Sequence, residues 1–153
     1  MARRQSRVLA LRALFAMDIG RQDPETALRQ ALEGEPDGFA EYARTLCAGV
    51  QADREQIDGL IARFIRGWSL PRLAAVDRSL LRLATYELLH QPEIPPTAVV
   101  SEAVELASTY STEDAPRFIN GVLARIAEEI GRPLRDRDQD QQEEVEKDHG
   151  EDH

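Results

Sequence analysis

The sequence has few of the residues that build disulfides, metal centres and catalytic triads. Cys47 is its one cysteine, so an intramolecular disulfide and a thiolate metal site are both excluded. Two of its three histidines, His149 and His153, lie close to the C-terminus, which leaves His90 without histidine neighbours for a triad or a metal cluster. The nine glycines are scattered and form no phosphate-binding loop. We therefore expect a protein that is not an enzyme and needs no metal or cofactor.

Long hydrophobic runs are also missing. The apolar runs are only a few residues long, far short of the length that spans a bilayer, so we expect no membrane association. No charged-then-apolar leader opens the chain, and the low cysteine content is typical of the reducing cytoplasm. With 42% hydrophobic and 31% charged residues, the 153-residue chain has the composition of one ordinary globular domain.

Positive charge is scarce overall but concentrated at one end. The formal net charge is −9, yet residues 1–17 contain four arginines and no acid. Residues 136–153 carry nine acidic residues against two basic ones, a balance of −7, so residues 1–135 carry only −2. Because this acidic segment has a single aliphatic residue, Val145, it cannot bury a core. We predict a domain over 1–134 and an acidic disordered tail over 135–153.

Hydrophobic residues recur at helical spacing throughout the domain, and no stretch alternates as a half-buried strand does. The Asp23-Pro24 pair is typical of a helix start, and three prolines between 92 and 96 exclude a helix there. An all-α fold is therefore predicted. Its helices are expected over roughly 3–19, 24–34, 38–49, 53–66, 72–90, 97–110 and 114–130.

One acid lies where an apolar residue is expected. In the predicted helix 72–90, Glu87 falls within the apolar stripe that includes Leu80 and Ala84, and Arg78 and Arg82 lie opposite. A carboxylate in an apolar stripe is costly unless it is paired. Two interpretations stay open: a buried structural salt bridge, or a surface that becomes covered when a partner docks.

The two ends of the domain carry candidate nucleic-acid contacts. Arg3 and Arg7 are four residues apart on one helix stripe, with Arg4 beside them, and arginine matches phosphate geometry well. Phe118 lies at the edge of the last apolar stripe, on the same side as Asp114, where an aromatic ring can stack on a base. The alternatives are a solvated terminus, a phenylalanine packed under a neighbouring helix, and an aspartate that only caps its helix.

Five stretches of the sequence occur in the order and spacing of a known family. The stretches are Arg3-Arg4 through Ala13-Leu14-Phe15; Trp68-Ser69-Leu70-Pro71-Arg72-Leu73; Asp77-Arg78-Ser79-Leu80-Leu81-Arg82-Leu83-Ala84-Thr85-Tyr86-Glu87-Leu88; Ile94-Pro95 with Ser101-Glu102-Ala103-Val104-Glu105-Leu106-Ala107; and Phe118-Ile119-Asn120-Gly121-Val122-Leu123. In these stretches the chain resembles the NusB-type transcription antitermination factors over residues 3 to about 130.

The resemblance implies a fold, a function and partners. The fold would be all-α, with about seven helices in two small packed subdomains. The function would be transcription antitermination, through binding of a boxA-type single-stranded RNA in nascent ribosomal RNA. The implied partners are NusE, a ribosomal protein of the small subunit, and the RNA polymerase elongation complex. The alternative is a helical protein–protein adaptor or self-associating module without direct RNA binding, and a homodimer is compatible with either function.

The resemblance also assigns roles to individual residues. Phe15 stands where the family commonly has tyrosine, which removes a hydroxyl and keeps the ring. Arg82 and Glu87 match the surface that receives the protein partner. The RNA-contacting positions are matched by Arg3, Arg4, Arg7, Phe15, Asp114 and Phe118.

Overall fold

A computed structural model describes residues 2–134, which form seven α-helices and one short 3₁₀ helix. The all-α prediction is confirmed, whereas the predicted acidic tail, 135–153, lies outside the described residues. The helices are α1 (Ala2–Ile19), α2 (Pro24–Leu32), α3 (Asp37–Ala52), α4 (Arg54–Phe64), α5 (Ala75–His90), α6 (Pro96–Tyr110) and α7 (Ala115–Glu129), and the 3₁₀ helix is Leu70–Arg72.

Local sequence accounts for three of the seven helix starts, those of α2, α6 and α7. The carboxylate of Asp23 accepts a hydrogen bond from the backbone N–H of Thr26 at 3.0 Å, and proline occupies the first turn of α2, α6 and α7. The predicted helix 72–90 begins later than expected, at Ala75. Arg78 explains the difference, because its Nη1 donates to the carbonyls of Leu70 and Leu73 and holds that segment as a separate turn.

The helices form two packed groups that share α5. Helices α1, α2 and α3 pack against one another, and α4, α6 and α7 surround α5. Since α5 also contacts α1 and α3, it has helices on all sides, and every residue from Asp77 to Leu88 is buried. The single apolar stripe expected for this helix was therefore too narrow a description. Arg78 and Arg82, opposite that stripe, lie in the interior as well.

Helices α3 and α5 approach closely at Gly49. A Cβ atom added at Gly49 would lie 2.1 Å from Cε2 of Tyr86, so the tyrosine ring occupies the space that a side chain would need. Two residues earlier, Cys47 is buried, and burial raises the pKa of its thiol to about 12. Tight packing between these two helices thus depends on one glycine.

Across residues 2–134, no helix is long and apolar enough to cross a membrane.

Candidate nucleic-acid interface

Arg7 and Glu87 form an ion pair in the interior, between α1 and α5. Nε of Arg7 donates to Oε1 of Glu87 at 2.8 Å, and Nη2 donates to Oε2 at 2.8 Å. The hydroxyl of Tyr42 on α3 donates to the same Oε2 at 2.7 Å. Arg7 is 5% exposed and Glu87 is 1% exposed. The carboxylate is therefore satisfied within the chain, and the structural alternative for Glu87 is the one observed.

The charge state of this cluster follows from its surroundings. Burial lowers the pKa of Arg7, but the hydrogen bond and negative charge of Glu87 outweigh it, so that the pKa is raised overall. The pKa of Tyr42 is also raised, first by burial and then by its hydrogen bond to Glu87. At neutral pH Arg7 is therefore charged and the phenol of Tyr42 is neutral, and the cluster joins α1, α3 and α5.

Arg82 belongs to a second buried ionic group. Its Nε donates to Oδ1 of Asp58 on α4 at 2.8 Å, and Arg78 Nη2 lies 2.7 Å from Oδ2 of Asp18 at the end of α1. Arg82 is 6% exposed and Arg78 is 8% exposed. These pairs fasten α5 to α1 and α4. Direct contact of Arg82 and Glu87 with a protein partner, and of Arg7 with RNA, stays a prediction that this geometry does not support.

Arg3 and Arg4, in contrast, lie at the surface. The guanidinium of Arg3 stands 4.5 Å from the ring centroid of Tyr42 and remains exposed. Arg4 pairs with two carboxylates of α6: its Nε lies 3.0 Å from Oε2 of Glu102, and its Nη2 pairs with Glu105. A phosphate that binds Arg4 must therefore displace these carboxylates. The structure thus places one of the four arginines of α1, Arg7, in the interior and leaves Arg3, Arg4 and Arg12 exposed.

Phe118 and Asp114 border an open groove at the start of α7. Phe118 is half-buried: it packs against the core on one side and borders the groove on the other. Asp114 occupies the N-cap position, but its exposed side chain makes no capping hydrogen bond. We call this the Phe118 groove. Its volume is about 560 Å³, and its lining consists of Trp68, Arg72, Leu73, Ala74, Asp77, Thr112, Asp114, Ala115 and Phe118.

Phe15 borders a second, smaller groove between α1 and the end of α6. Its ring is 38% exposed, and the ring of Tyr110 is 45% exposed. We call this the Phe15 groove. Its volume is about 230 Å³, and its lining consists of Val8, Leu11, Arg12, Phe15, Val76 and Tyr110.

The two grooves adjoin, because consecutive residues border them. Val76 lines one and Asp77 the other, and the Oγ of Ser111 donates to Oδ1 of Asp77 at 2.6 Å between them. Four aromatic rings line the two grooves, and we call the two grooves together the aromatic face: Phe15, Trp68, Tyr110 and Phe118.

Sequence reasoning did not assign a site role to several residues of this face. Trp68 and Tyr110 carry two of its four rings, while Arg12 and Arg72 are exposed cations that make no ion pair with any residue of 2–134. Arg12 was noticeable as a member of the acid-free first segment. Arg72 and Trp68 lie in a family-like stretch that had no assigned role. Only the fold brings them next to Phe15 and Phe118.

Comparison with known proteins identifies the family of this chain. Residues 4–128 match the model of the NusB family. The chain belongs to the NusB family. The transcription antitermination protein NusB of Symbiobacterium thermophilum is 50% identical over 136 residues, which cover 82% of this chain and 89% of that protein. The family prediction made from the five sequence stretches is confirmed.

Solved NusB structures share the fold as well. NusB of T. maritima superposes with a TM-score of 0.78 at 42% identity, covering 82% of this chain and 90% of the other. A crystal structure of the antitermination factors NusB and NusE in complex with double-stranded RNA superposes with a TM-score of 0.77 at 29% identity, covering 84% and 97%. Both grooves of this NusB-family chain fall within residues 4–128, the range of the family match.

The described residues offer little for other chemistry. Within 2–134, no group of three or more histidine, cysteine, aspartate or glutamate side chains is placed to hold a metal ion. Glu102 and Glu105, the neighbouring carboxylates of α6, are taken up by Arg4. His90 pairs with Asp53 at 2.7 Å at the surface, far along α5 from the aromatic face. The aromatic face is therefore the candidate functional site.

Proposed function

We propose that this protein is a transcription antitermination factor that binds boxA-type single-stranded RNA in nascent ribosomal RNA together with the ribosomal protein NusE. In this proposal it acts in the cytoplasm within the RNA polymerase elongation complex and catalyses no reaction. The antitermination protein of S. thermophilum, half identical to this chain, supports the role in transcription. The related NusB that was crystallised with NusE and RNA supports the choice of partners.

The observation that carries the proposal is the aromatic face with its unpaired arginines. A ring that stacks on an unpaired base contributes about 1–3 kcal/mol and tolerates any base, because every base has a π-face. Arg12 in the Phe15 groove and Arg72 in the Phe118 groove supply the charge that a phosphate backbone requires. Rings and cations side by side on one surface are the two elements that single-stranded RNA binding needs.

The surface extends along α1 beyond the rings. Arg4, Val8, Leu11 and Phe15 recur at helical spacing on one side of α1, and Arg4 lies about 17 Å from Phe15 along the axis. An RNA strand that follows this side of α1 would pass Arg4 and Arg12 before it reaches the rings of the aromatic face. The proposed track is therefore long enough for several nucleotides. Its direct contacts are Arg3, Arg4, Arg12, Arg72, Phe15, Asp114 and Phe118.

The proposal specifies single-stranded RNA for a geometric reason. Phe15 and Phe118 can stack only on bases that are not already stacked within a duplex, and sequence-specific RNA recognition generally uses unpaired bases. The related complex contains double-stranded RNA, so the comparison of both forms is part of the test.

A protein partner follows from the modest size of the individual contacts. About three phosphate contacts make log K fall with log salt with a slope of roughly −2 for a single strand. Stacking and phosphate contacts of this size do not make binding both tight and selective. A second protein that docks beside the RNA would raise both, which is why NusE belongs to the proposal.

The test is a titration of fluorescently labelled boxA-like RNA, single-stranded and as a duplex, with and without NusE. We expect the single strand to bind, the affinity to rise when NusE is present, and the salt slope to be near −2. Arg12→Gln and Arg72→Gln should each reduce the slope by about 0.7. Arg44→Gln should leave it unchanged, because Arg44 is an exposed arginine of α3 that lines a different groove, beside α2.

Absence of binding under every condition would reject RNA binding and favour the adaptor or self-associating module. Light scattering over a range of protein concentrations then distinguishes a homodimer, which would cover apolar surface such as the aromatic face, from a monomeric adaptor.

A further inference from the structure

The indole of Trp68 is the most exposed large hydrophobic side chain of the described residues. It is 59% exposed, and it is the only tryptophan of the chain. An isolated exposed apolar residue needs no explanation, but Trp68 is not isolated, because it forms one side of the Phe118 groove. The indole and the Phe118 ring therefore face the same space from two different segments of the chain.

The segment that carries Trp68 is held firmly in place. Gly67 adopts a left-handed conformation with φ of 77°, and the N–H of Trp68 donates to the carbonyl of Ile65 at 2.9 Å, closing the turn after α4. Downstream, Nη1 of Arg78 donates to the carbonyls of Leu70, Pro71 and Leu73 at 3.0–3.3 Å.

Arg78 is itself anchored, because its guanidinium pairs with Asp18 in the interior. The chain therefore fixes the backbone on both sides of an indole that it leaves in solvent. A fixed backbone lowers the entropy that is lost when a ligand is bound, which is the property of a preorganised binding residue.

The space between Trp68 and Phe118 suits a flat ligand. Its lining includes the small residues Ala74 and Ala115, and its volume of about 560 Å³ is in the range of small-ligand pockets. Its lining also includes the exposed guanidinium of Arg72, which makes no ion pair within residues 2–134, and the carboxylate of Asp114, which makes no capping hydrogen bond. The Phe118 groove thus combines apolar walls with a free cation. It fits a nucleotide better than an aliphatic peptide side chain, because a base can stack on its rings and the cation attracts a phosphate.

We propose that Trp68 is a further RNA-stacking residue, which together with Phe118 encloses one unpaired base of the RNA, with Arg72 at the adjacent phosphate. This inference rests on the proposed function and adds to it a residue and a mode of contact. It assigns the stretch from Trp68 to Leu73 to the RNA interface.

Because Trp68 is the sole tryptophan, its fluorescence reports this one position. The full chain is titrated with boxA-like single-stranded RNA in the presence of NusE, while the anisotropy of a label on the RNA measures binding independently. We expect RNA to quench the tryptophan emission with the same midpoint as the anisotropy change. Quenching by NusE alone would instead place a protein partner on Trp68 and overturn the proposal.

Substitution gives a second readout. Trp68→Ala should weaken RNA binding about 5- to 100-fold, and Trp68→Phe should restore most of the affinity because the ring is kept. Ile19→Ala is the matched control, since Ile19 is similarly exposed, at 57%, and borders neither groove. If both rings enclose the same base, the combined loss in Trp68→Ala with Phe118→Ala should be smaller than the product of the two single losses.

The outcomes separate this inference from the proposed function. One outcome is that RNA binds without changing the tryptophan emission, and that Trp68→Ala binds RNA as tightly as the native chain. In that case the stacking role of Trp68 is rejected and the proposed function stands. If the native chain binds no RNA, both are rejected.

Discussion

The interior of this protein and its aromatic face use polar and apolar residues in opposite places. Around α5, ionised side chains lie where apolar ones are expected: Arg7 with Glu87, and Arg82 with Asp58, all inside or nearly so. On the aromatic face, by contrast, Phe15 and Trp68 lie in solvent. The interior charges are paired, whereas the rings of Phe15 and Trp68 make no ring or cation contact within residues 2–134. From this contrast we expect buried charge in this fold to serve stability and exposed ring surface to serve binding.

The ion pair of Arg7 and Glu87 is where this comparison can be broken most strongly. Glu87→Gln leaves the guanidinium of Arg7 buried without a counter-charge, so we expect the free energy of unfolding to fall by about 3–5 kcal/mol, measured by urea denaturation. Glu41→Gln, an exposed glutamate of α3, should change stability by less than about 0.5 kcal/mol. A loss below about 1 kcal/mol in Glu87→Gln would contradict a structural role for the pair.

The close approach of α3 and α5 offers a test of the interior that involves no charge. Gly49→Ala places a methyl group where the Tyr86 ring lies, and we expect a loss of about 1–3 kcal/mol in urea denaturation. Gly59→Ala in α4 is the matched control, because a Cβ there meets nothing within 4 Å and alanine favours the helix by about 0.5–1 kcal/mol. Equal effects of the two substitutions would show that the interior tolerates the methyl group.

On the aromatic face we expect the reverse, an effect on binding with the fold retained. Phe118→Ala removes a half-buried ring that borders the groove, and RNA affinity should fall by about 1–3 kcal/mol. The helical circular dichroism signal and a cooperative unfolding transition should persist. Unchanged RNA affinity in this variant would reject stacking on Phe118.

Arg4 lies between the two regions, since it is exposed and yet paired. Replacing both Glu102 and Glu105 by glutamine frees its guanidinium for phosphate, and the RNA affinity should rise by at most about fivefold, because exposed pairs are weak. Glu25→Gln with Glu33→Gln removes the same charge beside α2, away from the aromatic face, and should have a smaller effect. Equal gains in the two double variants would mean that net charge alone is responsible.

Much of the fold could be predicted from local signals. Apolar periodicity predicted seven helices, and the start of α2 followed from Asp23-Pro24 because a capping carboxylate and a first-turn proline act within a few residues. The start of α5 could not be predicted in this way. It depends on Arg78, whose Nη1 donates to the carbonyls of Leu70 and Leu73 in the preceding turn. The same guanidinium is held by Asp18, which lies sixty residues earlier in the sequence.

The candidate site was predictable in part. Phe15, Phe118 and Asp114 were identified by their similarity to a family, and they border two adjoining grooves. Arg7 was grouped with Arg3 and Arg4 because Arg3 and Arg7 are four residues apart on one helix stripe, with Arg4 beside them. Spacing along one helix cannot show that α5 presents a carboxylate to Arg7 and that α6 presents two to Arg4.

The sequence by itself determined the helices, the family and the presence of unusual residues such as Glu87 within an apolar stripe. These properties depend on neighbours within one or two helical turns. Only the tertiary structure decided which arginines are accessible and which rings share a groove, because ion pairing and burial depend on residues that are distant in sequence and close in space. For Glu87, that meant a partner eighty residues away on α1.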